Sequence, residues 1–475
     1  MFSPLDRRRF LGISLAAPIA LANARPPPSA GEHVVILGAG LAGLRTAQLL
    51  KTAGLSVTIL EGRKEPGGRV RTIRAPFEQG LHAEAGAMRI SSAHRRVLAS
   101  VRNYGLTLLP FTPANGASLS VVGSHRIAST EDPRRAFANL DLHENERGLD
   151  PAALLDRYVT DIPAEFGDPA ISPADRAGWA AIDRQTWPDW LKSRGASSAA
   201  VTLMTLGGDA SDLSALYVLR QVALHRGART YYKIAQGMDA LPRAMASELR
   251  DSIRFGTPAM AIDRAQGGFR VTYLDGGALR TVSAGTVVVT LPFSVLRDMS
   301  IDPPLAPEKR RAIRDIGYFP GTRFLFECRS RFWHSEGLNG ASRTDQPVEL
   351  WDAAYEVSAP SGILGATAAG EAGRHALTMN EDAAIGYGLD LASVTFPSIR
   401  SQFERGVVHR WANSRWSRGA FAIFRPGQMT ALTPHIAAPE DRLHFAGEHT
   451  SPWMGWMEGA LESAERVANE ILRAK

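Results

Sequence analysis

The 475-residue chain has a single cysteine, Cys328, so no disulfide can form within it. It has no apolar run long enough to cross a bilayer comfortably, the longest candidate being Leu11–Leu21 near the start. It also has no basic stripe. Lys and Arg number 54 against 48 acids, a formal charge of +6, but the two signs are interspersed and no aromatic-interleaved cationic patch occurs. That pattern is an ordinary solvated mixed-charge surface and argues against nucleic acid as a partner. No His, Cys or carboxylate cluster has metal-ligand spacing. His444, Glu448 and His449 lie close together, but strand alternation would send neighbouring side chains to opposite sides, so no metal is expected.

The chain is long enough for two or three domains with ample core. Its first residues read as a processing segment. Arg7-Arg8-Arg9-Phe10-Leu11 precedes the short apolar stretch, and Ala22-Asn23-Ala24 is a small-residue cleavage pattern. This resembles a twin-arginine export signal, followed by a stiff Pro26-Pro27-Pro28 linker, with residues 1–30 outside the fold. The implied location is periplasmic or secreted. Folding before export in a reducing cytoplasm fits a chain without disulfides.

The stretch that organises the rest is His33–Gly43, HVVILGAGLAG. An apolar strand, Val34–Leu37, runs into Gly38-x-Gly40-x-x-Gly43 and then a helix over Leu44–Ala53. A second strand, Ser56–Leu60, ends at Glu61. In this order Gly38 permits the turn, Gly40 lets backbone approach a pyrophosphate, and Gly43 lets helix and strand pack closely. Glu61 can accept ribose hydroxyls. A dinucleotide site follows. Beyond it, Pro66-Gly67-Gly68-Arg69 places a flexible turn and a cation near the phosphates.

The segments ILGAGLAGL, ILEGRKEPGGRVRT and LHFAGEHT together resemble the flavin amine oxidases, which include monoamine, polyamine and L-amino acid oxidases. The resemblance runs from about Gly31 to the C-terminus and is thinnest in the middle. It implies an α/β fold with a doubly wound, Rossmann-like FAD-binding domain (31–72, 231–320 and 425–475). A mixed-sheet substrate domain (73–129 and 321–424) and a helical subdomain (130–230) complete it. Read from their own patterns, Thr186–Arg194 and Asp212–His225 are the clearest helices of that subdomain, and Ile253–Asp263 and Phe269–Leu274 are strands, with Asp275-Gly276-Gly277 as a hairpin turn. By the same resemblance FAD is contacted at Gly38, Gly40, Gly43, Glu61, Gly68, Arg69, Gly86, Ala87, Met88, Ala259, Glu448, Gly455, Trp456 and Met457. Ala420 stands where monoamine oxidases attach FAD through cysteine, which implies noncovalent FAD.

Gly86-Ala87-Met88-Arg89 resembles the G-x-M-R segment of the amino-acid branch, where the arginine clamps the substrate carboxylate. A planar guanidinium suits that task. The alternative for Arg89 is an ordinary ion pair with an acid such as Glu84. Arg323 stands at the position of a family lysine that assists reaction of reduced flavin with dioxygen. It is either a flavin neighbour or a paired surface residue, and it leaves the electron acceptor open. Trp456 matches the aromatic wall beside the flavin. His225 falls near a family histidine, and Trp351 and Thr367 are plausible pocket residues. The expected reaction is oxidative deamination of an L-amino acid by hydride transfer to flavin N5. The products are a 2-oxo acid, ammonia and hydrogen peroxide, with dioxygen as acceptor. Amine or polyamine oxidation, amino-acid dehydrogenation and monooxygenation remain the alternatives. Expected partners are a small amino acid or amine, the twin-arginine export machinery and, as an open possibility, a second copy in a homodimer.

Overall fold

The computed structural model describes residues 33–228 and 230–474, so the export segment and linker lie outside the described residues. At the centre is a five-stranded parallel sheet. Its strands are β1 (His33–Leu37), β2 (Ser56–Glu61), β3 (Ile253–Phe255), β4 (Thr286–Val289) and β5 (Leu443–Phe445), in the order β3-β2-β1-β4-β5. All are short, and the three central ones, β2, β1 and β4, are rich in Val, Ile and Thr, as strands covered on both faces are. Alternation divides them. Val35, Leu37, Val287, Val289 and Phe445 face one core cluster, and Val34, Ile36, Ile59 and Val288 face another.

The second cluster is closed by two helices from opposite ends of the chain, Leu41–Thr52 and Met457–Arg473. Leu44, Ala47 and Leu50 recur at helical spacing on the first. Leu461, Val467, Ala468 and Ile471 do so on the second. Burying each leucine or isoleucine contributes roughly 1.5–3 kcal/mol. The first helix starts three residues earlier than its apolar periodicity suggests, with Gly40 as N-cap. Of the three motif glycines, Gly43 is therefore inside the helix, Gly40 caps it and Gly38 lies in the turn before it, and the first intrahelical bond is Leu44 N–H to the Gly40 carbonyl. The N–H groups of Leu41, Ala42 and Gly43 have no partner within the helix.

The other cluster is shared with the helical segment. Trp179, Trp187, Trp190, Leu216 and Leu219 pack in one continuous core with the parallel sheet, so the segment is not a detached appendage. The helix expected over Thr186–Arg194 is Trp187–Ser193, capped by the Thr186 hydroxyl on Asp189 N–H. The one expected over Asp212–His225 is Ala215–Leu224, capped by Ser214.

A seven-stranded mixed sheet forms the third layer. Its strands run in the order Phe403–Arg410, Thr322–Cys328, Gly362–Ala368, Val348–Asp352, Leu338–Thr344, Ala117–Val122 and His125–Ala128. One face, with Phe324, Phe326, Leu350 and Leu364, packs under the helix Glu381–Ser393. The other carries Leu325, Trp351 and Ile363.

Two expectations are corrected here. The single strand Ile253–Asp263 is two strands in different sheets. The chain turns at Gly256, with φ of +70°, and Pro258, and Ala259–Ala265 joins the hairpin partner Gly268–Asp275. Tyr231–Ile234, placed by sequence with the cofactor domain, pairs instead with Ile90–Ser91 and Leu108–Pro110 of the following segment. The Gly276-Gly277 turn is as expected, both residues having positive φ and joining a two-residue hairpin.

Gly43 shows why the motif is strict: a Cβ there would overlap the Gly38 carbonyl oxygen. Gly43→Ala is expected to force helix and strand apart at a cost of about 1–3 kcal/mol. The melting temperature and the retained flavin should both fall; a variant melting and loading like the parent would contradict this account.

Candidate active site

The three layers enclose a cavity of about 600 Å³. The site residues named from sequence line it except Gly43, whose part is the packing just described, and His225 and Trp351, which lie behind its wall. At one end, Gly38 turns with φ of +109° and donates its N–H to the Leu60 carbonyl at 2.8 Å. A Cβ on Gly40 would meet nothing within 4 Å, so this backbone is open to the cavity. Glu61 accepts Ala39 N–H at 2.7 Å on one oxygen and Arg63 N–H at 2.8 Å on the other. Burial pushes its carboxyl up, against the pull of those two N–H groups. Each oxygen keeps acceptor capacity for a diol. Arg63, not singled out from sequence, lines this end and donates to Ser414 and Ser417, while Trp416 lies over Gly62. Ala259 borders the same end.

In the middle, Gly86 sits where a Cβ would overlap the Arg69 carbonyl, so the Gly86–Met88 backbone runs tightly along the Gly68-Arg69 turn. Arg69 donates to Glu448 at 2.5 Å and to the Ala420 carbonyl at 3.3 Å. Glu448 also accepts Ala422 N–H at 3.2 Å and Gly455 N–H at 2.7 Å. Three of its acceptor positions are thereby filled, so Glu448 organises the wall with little capacity left for a ligand hydroxyl. Opposite, the last helix begins at Met457 with Trp456 as N-cap, and its first N–H groups point to a site suited to developing negative charge. His444 pairs with Glu470 at 2.8 Å, and His449 is buried under Phe293. Neither is hydrogen-bonded to Glu448.

Trp456 is held by an aromatic box of His94, His225 and Tyr231, at centroid distances of 4.8, 4.9 and 6.2 Å. His225 does not line the cavity. Its Nδ1–H donates to the Gln221 carbonyl at 2.8 Å, which leaves Nε2 as acceptor. His94 Nδ1 accepts Ser91 N–H at 3.1 Å, so its Nε2–H donates to His225 Nε2, also at 3.1 Å. Both rings are thus neutral and fully used. Burial and the facing imidazole lower His94 to about 3. His225, lowered by burial, is a wall support, not a free base.

At the far end the structure settles who holds Arg89. Glu349 takes both its terminal nitrogens at 2.9 Å, and Phe111 lies 4.2 Å under the guanidinium. The partner is not Glu84, which accepts from the Thr72 hydroxyl and Met238 N–H. Arg343 reaches Glu349 at 3.2 Å from outside. Burial pushes the Glu349 carboxyl up, but Arg89 and Arg343 outweigh it and hold it at about 2. Glu349 was missed from sequence. A charge inside VELWD signals a polar position on a buried strand, but its partner is 260 positions away. Arg323 also lines the cavity, its Nη1 donating to the Glu84 and Gly86 carbonyls at 3.1 and 3.0 Å. Trp351 lies 5.0 Å beneath it.

This arrangement matches a known family. The family of flavin containing amine oxidoreductases matches residues 41–472. The chain belongs to it. A Bacillus subtilis (strain 168) protein named "Putative L-amino-acid oxidase YobN" is 32% identical over 93% of this chain and 95% of its own. An L-amino-acid oxidase of Siganus canaliculatus is 30% identical over 94% and 86%. Among solved structures, putrescine oxidase bound to putrescine superposes with a TM-score of 0.79, 21% identity and coverage of 93% and 99%. The chain is therefore an oxidoreductase acting on CH–NH2 donors, and its cofactor is flavin.

Since the Glu349 carboxyl is lowered in the fold, its pairing stabilises fully above about pH 4.5, the ordinary value, and the gain disappears as pH falls toward 2. Glu349→Gln should lower unfolding stability near neutral pH by up to about 3 kcal/mol. The gap to the parent should narrow from pH 4.5 to pH 3 in denaturant titrations. A pH-independent gap would show that packing, not charge, is what the variant loses.

Proposed function

We propose that the protein oxidises L-amino acids to 2-oxo acids and ammonia, passing electrons on to dioxygen with formation of hydrogen peroxide. One observation carries the substrate class. The ionisable groups at the end of the cavity away from the dinucleotide motif are Arg89, Arg323 and Glu349, an excess of one positive charge. An α-amino acid arriving with its amine neutral carries one negative charge and complements it; a simple amine does not. The names of the relatives agree with this reading.

Flavin, when bound, supplies the hydride acceptor. The chain supplies position and electrostatics. Glu61 and the first helix N-terminus fit a dinucleotide at one end, and Arg69 with the Gly86–Met88 backbone line its path. The Met457 helix N-terminus offers N–H groups to the charge that reduction creates. Trp456, fixed by its box, excludes water and confines the amine. No side chain needs to act as a strong base, consistent with both histidines being engaged. FAD is held noncovalently in this reading. Ala420 lines the cavity without a thiol, and Cys328 is buried in the seven-stranded sheet with its thiol pushed up to about 12 by burial.

A second reading has its own support. With Arg89 taken by Glu349, the site could accept an amine lacking a carboxylate, as in the structure of putrescine oxidase bound to putrescine. Anaerobic mixing with a panel of L-amino acids and their decarboxylated amines decides between the two. Bleaching of the flavin by amino acids, followed by recolouring in air with peroxide formed, is the expected outcome. Bleaching by amines alone would establish the second reading, and bleaching without recolouring would make the protein a dehydrogenase. Acid precipitation of the same preparation should leave the flavin in the supernatant.

A further inference from the structure

Glu349 lies between two guanidiniums. On the cavity side Arg89 donates to both of its oxygens at 2.9 Å, and from outside Arg343 Nε reaches the same carboxylate at 3.2 Å. The outer contact is built into the sheet. Arg343 and Glu349 are directly opposed across the antiparallel strands Leu338–Thr344 and Val348–Asp352, so both project from one face. The two cations are otherwise unlike. The Arg89 side chain lines the cavity against Phe111 and is 20% exposed, whereas that of Arg343 does not line it and is 63% exposed. The Gly207-Gly208 turn, itself part of the cavity wall, lies beside the pair. A Cβ on Gly207 would stand 2.9 Å from Arg343 Cγ and 3.4 Å from Glu349 Cβ, so a residue without a side chain leaves both stems room to shift.

The contact with Arg89 has the form that a guanidinium makes with a ligand carboxylate, two parallel charge-assisted hydrogen bonds. An amino acid that brings its own carboxylate to those nitrogens must displace Glu349. An anion pushed aside in a buried wall with no cation to receive it is strongly unfavourable. Arg343 removes that obstacle. It already touches the Glu349 carboxylate, it is charged at every working pH, and its exposure lets it follow the anion outward. After the exchange each carboxylate has a guanidinium of its own.

We propose that Glu349 competes with the substrate carboxylate for Arg89 and passes to Arg343 when the substrate is bound, so that Glu349 and Arg343 set the affinity and selectivity of the clamp. The proposal rests on the amino-acid reading above and keeps Arg89 as the group that meets the carboxylate. Selectivity follows from the competition. A ligand without a carboxylate has nothing to put in Glu349's place and leaves the pair shut. A ligand with one gains only what its contact with Arg89 exceeds that of Glu349.

The test uses benzoate, a carboxylate that cannot be oxidised, titrated into the FAD-loaded protein and followed by the shift in the flavin absorbance. Melting temperature and flavin content serve as the check that each variant is folded. Glu349→Gln should bind benzoate about 10-fold or more tightly than the parent, although the same change lowers stability. Arg343→Gln should weaken benzoate about 3- to 10-fold, although Arg343 lies outside the cavity. The double variant Arg343→Gln/Glu349→Gln should bind like Glu349→Gln alone, within about twofold, because Arg343 acts only through Glu349. If Arg343→Gln weakens benzoate equally with and without Glu349, Arg343 acts through its field alone and the exchange is overturned. Unchanged or weaker benzoate binding in Glu349→Gln also overturns it, since Glu349 would then support Arg89 instead of competing for it. Failure of the amino-acid reading is distinguishable: the parent is then bleached only by amines, whatever the benzoate titrations show. If amino acids bleach the parent and their KM follows the benzoate Kd across the three variants, both stand.

Discussion

The Glu448 carboxylate is the contact on which the site depends. It receives Arg69 from the N-terminal segment, Ala422 N–H from the strand that crosses beneath the cavity and Gly455 N–H from the entry to the last helix. These come from positions 379, 26 and 7 residues away. One buried group thus sets the distance between the glycine-rich turns at one end of the chain and the helix N-terminus at the other. Removing it would leave the Arg69 guanidinium with a neutral carbonyl, that of Ala420, but no compensating charge, and breaking a buried pair in that way is strongly destabilising. The parallel sheet makes the same demand on a larger scale. The strand order β3-β2-β1-β4-β5 joins segments more than 150 residues apart, and only when all are present do the two helices that cover it have a common surface.

What could be read from the sequence was whatever carries its own local chemistry. Gly38, Gly40 and Gly43 are legible because each glycine answers a backbone requirement within a dozen residues. The helices that begin at Trp187 and Ala215 are legible from their helical spacing for the same reason. The break at Gly256 was not, because Ile253–Asp263 has uninterrupted β propensity. What splits it is the competition of two sheets for its halves. Arg89 shows the limit most clearly. Its place on the cavity wall follows from a local motif, but its partner is set by register in a sheet whose strands come from 117–128 and 322–410. Glu84 is near in sequence and is spent elsewhere.

That partner changes how the electrostatics of the cavity work. A lone guanidinium on the wall would attract any anion. A guanidinium saturated by Glu349 contributes shape and a fixed dipole instead, and the net charge of the wall is that of whichever cation remains uncompensated. Arg323 is that cation, and burial lowers it only to about 10, so it stays charged across the working range. Its geometry is fixed as only a fork can be fixed: Nη1 is spent on the Glu84 and Gly86 carbonyls, and Trp351 lies against the plane of the guanidinium. A lysine ammonium, a compact point charge on a flexible stem, could not be held in one orientation by the same three contacts. The positive charge at this end of the cavity therefore has a set direction as well as a set place.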